Sequence, residues 1–169
     1  DVEYHFKIKH TAACYIYDQY DEKRDWYTAF EPEDEFFWNR YRNHLINYER
    51  LDINSVNKLE SETLANLMNC LGNPNDVIKG KRLRRGLVIG DVQSGKTATY
   101  AGLICKAADA GYKVVILLTG ITESLRKQTQ ERMEEGIIGF TIRVDENGRM
   151  QKKLERVGVG LDNKEIKAT

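Results

Sequence analysis

The first regular pattern of apolar positions along the chain begins after Pro32. Three acidic residues follow the proline, as in many first turns of helices, where carboxylates favour the positive end of the helix dipole. Apolar and aromatic side chains then recur every three or four positions, at Phe37, Tyr41, His44, Leu45 and Tyr48. This pattern predicts a helix of about four turns.

A second amphipathic segment is predicted to start at a cap on Asn54 or Ser55 and to end at Gly72, just before Asn73 and Pro74. One helical face of this segment carries apolar residues almost without interruption: Val56, Leu59, Thr63, Leu64, Leu67, Met68 and Leu71. The two patterns together predict a helical N-terminal region within residues 1–80. Residues 1–30 are rich in aromatic side chains but show no sustained period.

The pattern changes to an alternation of short apolar runs and helices after residue 80. The order is an apolar run at residues 87–89, a helix at residues 95–110 before Gly111, a continuous apolar run at residues 114–118, and a helix at residues 122–135 before Gly136. Such alternation is typical of an α/β fold, in which a parallel sheet is flanked by helices. Residues 137–144 are compatible with a further strand. We therefore predict an α/β second region over residues 81–169.

Composition excludes some classes of protein. Lysine and arginine together number 26, as do aspartate and glutamate, so the formal net charge is zero and no global field draws the chain to nucleic acid. Three cysteines lie far apart, which fits a reducing compartment and predicts a cytoplasmic location. The longest apolar run, at residues 114–118, is far shorter than the ~18 residues of a membrane span.

The sequence GDVQSGKT, at residues 90–97, has the spacing of a phosphate-binding loop. An apolar run leads into it and a predicted helix leaves it, which is the context that this motif requires. Its glycines allow phosphate oxygens to approach the backbone, and the helix start supplies N–H groups and a positive dipole end. The alternative is a strand-to-helix turn in which the glycines serve only the turn.

The loop predicts a binding site for ATP and Mg²⁺. Lys96 would reach the β and γ phosphates, and Thr97 would offer its hydroxyl to Mg²⁺, so these two residues are the candidate catalytic pair. The remaining members would act largely through their backbone groups. The predicted nucleotide-binding residues are Gly90, Asp91, Val92, Gln93, Ser94, Gly95, Lys96, Thr97 and Ala98.

The stretch RRGLVIGDVQSGKTATYAGLICKAADAGYKVVILLTGITESLRKQTQERMEEGIIGF, at residues 84–140, resembles the core of the Z-one domain proteins. These are bacterial and phage-associated ATPases related to superfamily-two helicases. The resemblance implies a partial RecA-like sheet and a full-length protein that couples ATP hydrolysis to work on DNA. It also implies a restriction-like or antiphage defence setting with partner proteins of that system.

The same resemblance places residues 119–133 at the position of a helicase motif that contacts the DNA backbone. Residues carried over as candidate phosphate contacts are Thr119, Thr122, Arg126, Lys127 and Gln128. The alternative is that Arg126, Lys127, Gln130 and Arg132 form a solvated helix face.

Hydrolysis requires more than this loop. An acid pair after a third strand normally holds Mg²⁺ and orients water, and further groups come from a second lobe. Asp145 and Glu146 imitate the acid pair, but Arg143 interrupts the apolar run, and Asn147 with Gly148 favours a turn. Because the chain starts at Asp1 rather than methionine and leaves no room for a second lobe, we expect an N-terminal fragment that binds nucleotide without efficient hydrolysis.

Two other functions are compatible with the residues. In the first, the N-terminal helices form an interaction module and the phosphate loop is idle. In the second, suggested mainly by the endonuclease label that the Z-one family commonly carries, the site would cut DNA: Asp145 and Glu165 would hold a metal ion, and Lys167 would stabilise the developing charge. A chain this rich in charged residues produces such a trio easily by chance.

Overall fold

The computed structural model of the chain describes residues 26–28, 30, 35–75, 85–89, 95–120, 122–144 and 150–162. Within them the helices are α1 (Phe36–Asn47), α2 (Ile53–Lys58), α3 (Ala65–Cys70), α4 (Lys96–Asp109), α5 (Glu123–Met133) and α6 (Val159–Asp162). A π-helical segment at Leu59–Leu64 joins α2 to α3, and another at Glu134–Ile138 continues α5. The strands are β1 (Phe140–Val144) and β2 (Met150–Arg156).

The predicted α/β fold with a RecA-like parallel sheet is wrong for the part of the chain that the structure describes. Its sheet is a two-stranded antiparallel pair, in which Phe140 lies opposite Arg156 and Ile142 opposite Leu154. Residues 87–89 and 114–118 form no strand there, and the side chains of residues 114–118 are 40% to 89% exposed. Strand propensity is local, but a strand also needs a neighbour for its N–H and C=O groups, and neither run pairs with a described segment.

The predicted helices are confirmed, with shifted ends. Helix α2 begins earlier than predicted because Asp52, rather than Asn54 or Ser55, is the cap, and its carboxylate accepts the Ser55 N–H at 3.0 Å. The same helical run continues through the π-helical segment to Cys70, close to the predicted end at Gly72. Pro32, the predicted start signal of the first helix, lies outside the described residues.

The predicted end of the helix at residues 122–135, just before Gly136, is wrong. Helix α5 continues as a π-helical segment through Gly136, and the run ends at Gly139, whose φ of 79° lies in the left-handed region that favours glycine. Gly136 instead allows close packing, since a Cβ atom at this position would lie 2.9 Å from Cε2 of Tyr41.

Helix α1 and helix α4 share one hydrophobic core. Its buried members are Trp38, Tyr41, Leu45, Val56, Leu64, Ala101 and Cys105. Gly102 makes this packing possible, because a Cβ atom there would lie 2.9 Å from Cδ1 of Leu64 and 3.2 Å from Cζ3 of Trp38. Burial raises the pKa of the Cys105 thiol to about 12, so this cysteine behaves as a packed apolar group. This core contains residues from both sides of the predicted domain boundary near residue 80. The boundary itself stays a prediction.

A carboxylate from α4 caps the start of α1. Glu35 occupies the cap position of α1 but makes no side-chain capping hydrogen bond. Asp109 does so instead: its two carboxylate oxygens accept the backbone N–H groups of Phe37 and Trp38, each at 2.9 Å. These backbone N–H groups in the first turn of α1 therefore find their acceptors through tertiary structure and not within the local sequence.

One lysine of α4 is buried with its charge compensated. Lys106 is only 4% exposed, and its Nζ atom donates to Glu35 at 2.7 Å and to Glu60 at 2.8 Å. The same ammonium lies 4.9 Å from the centre of the Trp38 ring, within range of a cation–π interaction. Burial alone would lower the pKa of Lys106, but the hydrogen bonds to the two carboxylates outweigh it and the pKa is raised.

We expect Asp109→Ala to lower the free energy of unfolding by about 1–2 kcal/mol, because two N–H groups in the first turn of α1 lose their acceptors. Asp109→Asn keeps one carbonyl oxygen and should recover part of the loss. Urea denaturation followed by circular dichroism measures both. An alanine variant as stable as the parent would show that this cap contributes nothing.

We expect Lys106→Met to lower the free energy of unfolding by on the order of 2 kcal/mol at neutral pH, since Glu35 and Glu60 lose their shared cation. The raised pKa of Lys106 means that its contribution is complete below the ordinary lysine value of 10.5 and is lost as the pH rises through the folded value. The difference between parent and variant should therefore be constant from neutral pH to pH 10.5 and shrink above it. Lys58→Met, at an exposed lysine, is the control, and a pH-independent difference for Lys106→Met would contradict this account.

Candidate functional site

Gly95 forms the turn into helix α4. Its φ of 74° and ψ of 22° are left-handed, and its carbonyl accepts the Thr99 N–H at 3.0 Å, the first hydrogen bond of the helix. Apart from its chain neighbours, no described residue has an atom within 4 Å of where a Cβ would stand, and it is the backbone angle that favours glycine here. This is the conformation that a glycine at the end of a phosphate loop can adopt without strain.

The first turn of α4 is the positive end of this helix. The cap residue, Gly95, has no side chain that could accept a hydrogen bond from this turn. The first turn itself carries no acidic residue. The N–H groups at the start of a helix have no acceptor within the helix, and they add to the positive end of its dipole. This end of α4 therefore suits an anion with several oxygen atoms.

The structure places part of the predicted nucleotide-binding loop. Gly95 and Lys96 are exposed, whereas Thr97 and Ala98 are half-buried. The side chain of Ala98 packs against the core shared by α1 and α4, so only its backbone N–H could face a ligand. The other predicted residues of the loop, Gly90, Asp91, Val92, Gln93 and Ser94, lie outside the described residues.

Helix α5 contributes an arginine to the same place. Nη1 of Arg132 donates a hydrogen bond to Oγ1 of Thr97 at 2.8 Å, joining residues 35 positions apart in sequence. The sequence indicated Arg132 only as a member of a solvated helix face. No local signal could have revealed the contact, because it depends on how α5 lies beside the start of α4.

The predicted nucleic-acid contacts on α5 already have partners. Oγ1 of Thr122 accepts the Leu125 N–H at 3.4 Å as the helix cap, the guanidinium of Arg126 pairs with Glu123, and Lys127 lies 3.9 Å from Glu131. Thr119 and Gln128 are exposed. Helix α5 buries none of its side chains. These contacts account for the polar residues of α5 without a ligand, and their role with DNA stays a prediction.

The described part of the chain contains no cluster of acidic side chains suited to metal chemistry. Among the described residues, no group of three or more histidine, cysteine, aspartate or glutamate side chains could hold a metal ion. Asp145 and Glu146, weighed as the acid pair of hydrolysis, lie outside the described residues, as do Glu165 and Lys167 of the nuclease trio.

Comparison of the chain with protein-family models, with curated proteins and with solved structures finds no match. The resemblance to the Z-one domain proteins therefore rests on the residues quoted for it. Among the described helices, none has the length and apolar character needed to cross a membrane.

We expect Gly95→Ala to lower the free energy of unfolding by about 1–2 kcal/mol, because an L side chain at a left-handed φ is strained. Gly86→Ala is the matched control, since no atom lies within 4 Å of its Cβ position and its φ is not in the left-handed region. Urea denaturation compares the two variants, and hydrogen exchange at the first turn of α4 reports local loosening. Equal stability of both variants would mean that the turn adapts to a side chain.

Proposed function

We propose that the chain binds the phosphate groups of a nucleoside triphosphate at the turn into helix α4, with ATP as the first candidate. The observation that carries this proposal is the start of α4: a left-handed Gly95 followed by Lys96 and Thr97, with no acid in the first turn. The spacing of residues 90–97 supports it, because this loop sequence supplies backbone N–H groups and a lysine to the β and γ phosphates.

Mg²⁺ would enter together with the nucleotide. The hydroxyl of Thr97 is a hard oxygen donor of the kind that Mg²⁺ takes, and phosphates and water commonly complete such a coordination shell. The ion would neutralise charge on the phosphates when bound. Thr97 fits one position of that shell, and it now accepts the hydrogen bond from Arg132.

The family resemblance extends the proposal beyond nucleotide binding. It supports a cytoplasmic helicase-like ATPase that acts on DNA in a restriction-like or antiphage defence system, together with partner proteins of that system. Efficient hydrolysis would further require an acid pair and a second lobe.

A second candidate function is an interaction module with an idle loop. The observation that favours it is the exposure of large apolar side chains at residues 87–89 and 114–118, which soluble proteins commonly cover with a partner. In this case binding of another protein would not depend on Lys96.

The test is a titration of the chain with a fluorescent ATP analogue and Mg²⁺, combined with a thermal melt. Saturation at 100 times the dissociation constant should stabilise the fold by about 2.7 kcal/mol, a shift of several degrees. Lys96→Ala should weaken binding by at least about tenfold, because a charge-assisted contact to phosphate is lost. Lys58→Ala, at an exposed lysine of α2, is the control.

The outcome separates the two candidates. Binding by the parent and by Lys58→Ala, with loss in Lys96→Ala, supports the phosphate site. Absence of binding by the parent, or equal binding by all three chains, would mean that the turn serves only the fold. The interaction module would then be the better account.

A further inference from the structure

One arginine of α1 is partly buried without an acidic partner. The Nε and Nη2 atoms of Arg40 are buried, and neither donates a hydrogen bond within the described part of the chain. Burial lowers the pKa of Arg40, and none of the described carboxylates offsets this effect. The buried Lys106, in contrast, donates to two carboxylates. Arg40 thus carries a charge for which the described residues supply no counter-ion.

The two unpartnered atoms lie on the same edge of the guanidinium. In arginine, the N–H of Nε and one N–H of Nη2 point in parallel, and this pair matches the two oxygens of a carboxylate. A buried polar group without a hydrogen bond costs free energy, so this edge gains from an acceptor. The Cζ atom of Arg40 lies 5.0 Å from the centre of the Phe36 ring, a contact that occupies the face of the planar group and not its edge.

Glycines and exposed apolar residues adjoin this guanidinium. Nη2 lies 3.0 Å from the position that a Cβ atom would take at Gly139, and the backbone of Gly160 packs against the same glycine. The Phe36 ring is 38% exposed, and the side chains of Ile138 and Leu161, next in sequence to the two glycines, are each 55% exposed. Arginine and aromatic side chains are enriched at the centres of protein interfaces. Charge and apolar surface together fit a peptide segment in which a carboxylate stands beside apolar side chains.

We propose that Arg40 and Phe36 form a docking site for an acidic and apolar segment of a partner protein, independently of the nucleotide site proposed above. On binding, the guanidinium turns from Gly139 towards the partner, and Nε and Nη2 donate to the two oxygens of an aspartate or glutamate side chain. Turning breaks no hydrogen bond among the described residues, because the buried edge makes none. Apolar side chains of the segment then pack against Phe36 and reduce its exposure.

The experiment measures the fluorescence anisotropy of labelled peptides in which one aspartate or glutamate stands among leucine and phenylalanine. Each acidic peptide has a control with asparagine or glutamine at that position. The parent should bind acidic peptides at least about tenfold more tightly than their amide controls, because a bidentate, charge-assisted contact is gained. Arg40→Gln should abolish this preference, and Arg50→Gln, at an exposed arginine, should retain it.

A second measurement separates docking from a structural role. Arg40→Met removes the charge but keeps an unbranched side chain near Phe36. Because the described residues supply no acceptor to the buried edge, we expect a urea midpoint equal to or above that of the parent, together with loss of the preference for acidic peptides. A midpoint below that of the parent would show that the fold needs the guanidinium and would overturn the inference.

The peptide results decide the remaining alternatives. A preference for acidic peptides that is lost in Arg40→Gln and kept in Arg50→Gln supports the docking site. Equal binding of acidic and amide peptides, equal losses in both variants, or no binding by the parent would overturn it. Binding of labelled single-stranded DNA in place of the peptides, lost in Arg40→Gln, would assign the edge to phosphate and also overturn it. Lys96→Ala should leave peptide binding unchanged, so the nucleotide site can fail without this inference failing.

Discussion

The packing of helix α4 against helix α1 decides where the start of α4 lies. Ala101 and Cys105 on α4 are buried together with Trp38 and Leu45 on α1, and Gly102 leaves the space that this close packing needs. An α-helix is stiff along its axis, so burial of its middle fixes the direction of its first turn. The burial that holds Gly95 and the first turn in place starts within that turn, at Ala98, and continues along the helix through Ala101 and Cys105.

The two ends of α4 differ in how their charges are satisfied. Near the C-terminal end, Lys106 is compensated by two carboxylates, and Asp109 accepts two N–H groups of α1. These polar contacts join α4 to distant parts of the chain and favour one arrangement of the helices over others with similar apolar burial. The first turn carries no acidic residue of its own, and a basic side chain from α5 approaches it. A helix fixed at one end and electropositive at the other is suited to hold an anion.

Helices could be predicted from the sequence, and β1 lies within the possible strand at residues 137–144, whereas the pairing of the strands could not be predicted. The apolar period of α1 and of the run from α2 to α3, and the glycines beside α4, are local features, so these helices appear where they were expected. Residues 114–118 have the composition of a buried strand, but a strand forms only beside a partner that the local sequence does not identify. They are exposed in the structure, and the strands that do form, β1 and β2, pair as an antiparallel hairpin.

The sequence by itself determined the helical segments and the phosphate-loop motif at residues 90–97, because these depend on residues within a few positions of one another. Tertiary structure alone decided which polar groups contact each other: Lys106 with Glu35 and Glu60, Asp109 with the start of α1, and Arg132 with Thr97. The partners in these contacts are 35 to 72 positions apart. Their meeting follows from how the helices pack around Trp38 and Cys105, and no local spacing encodes it.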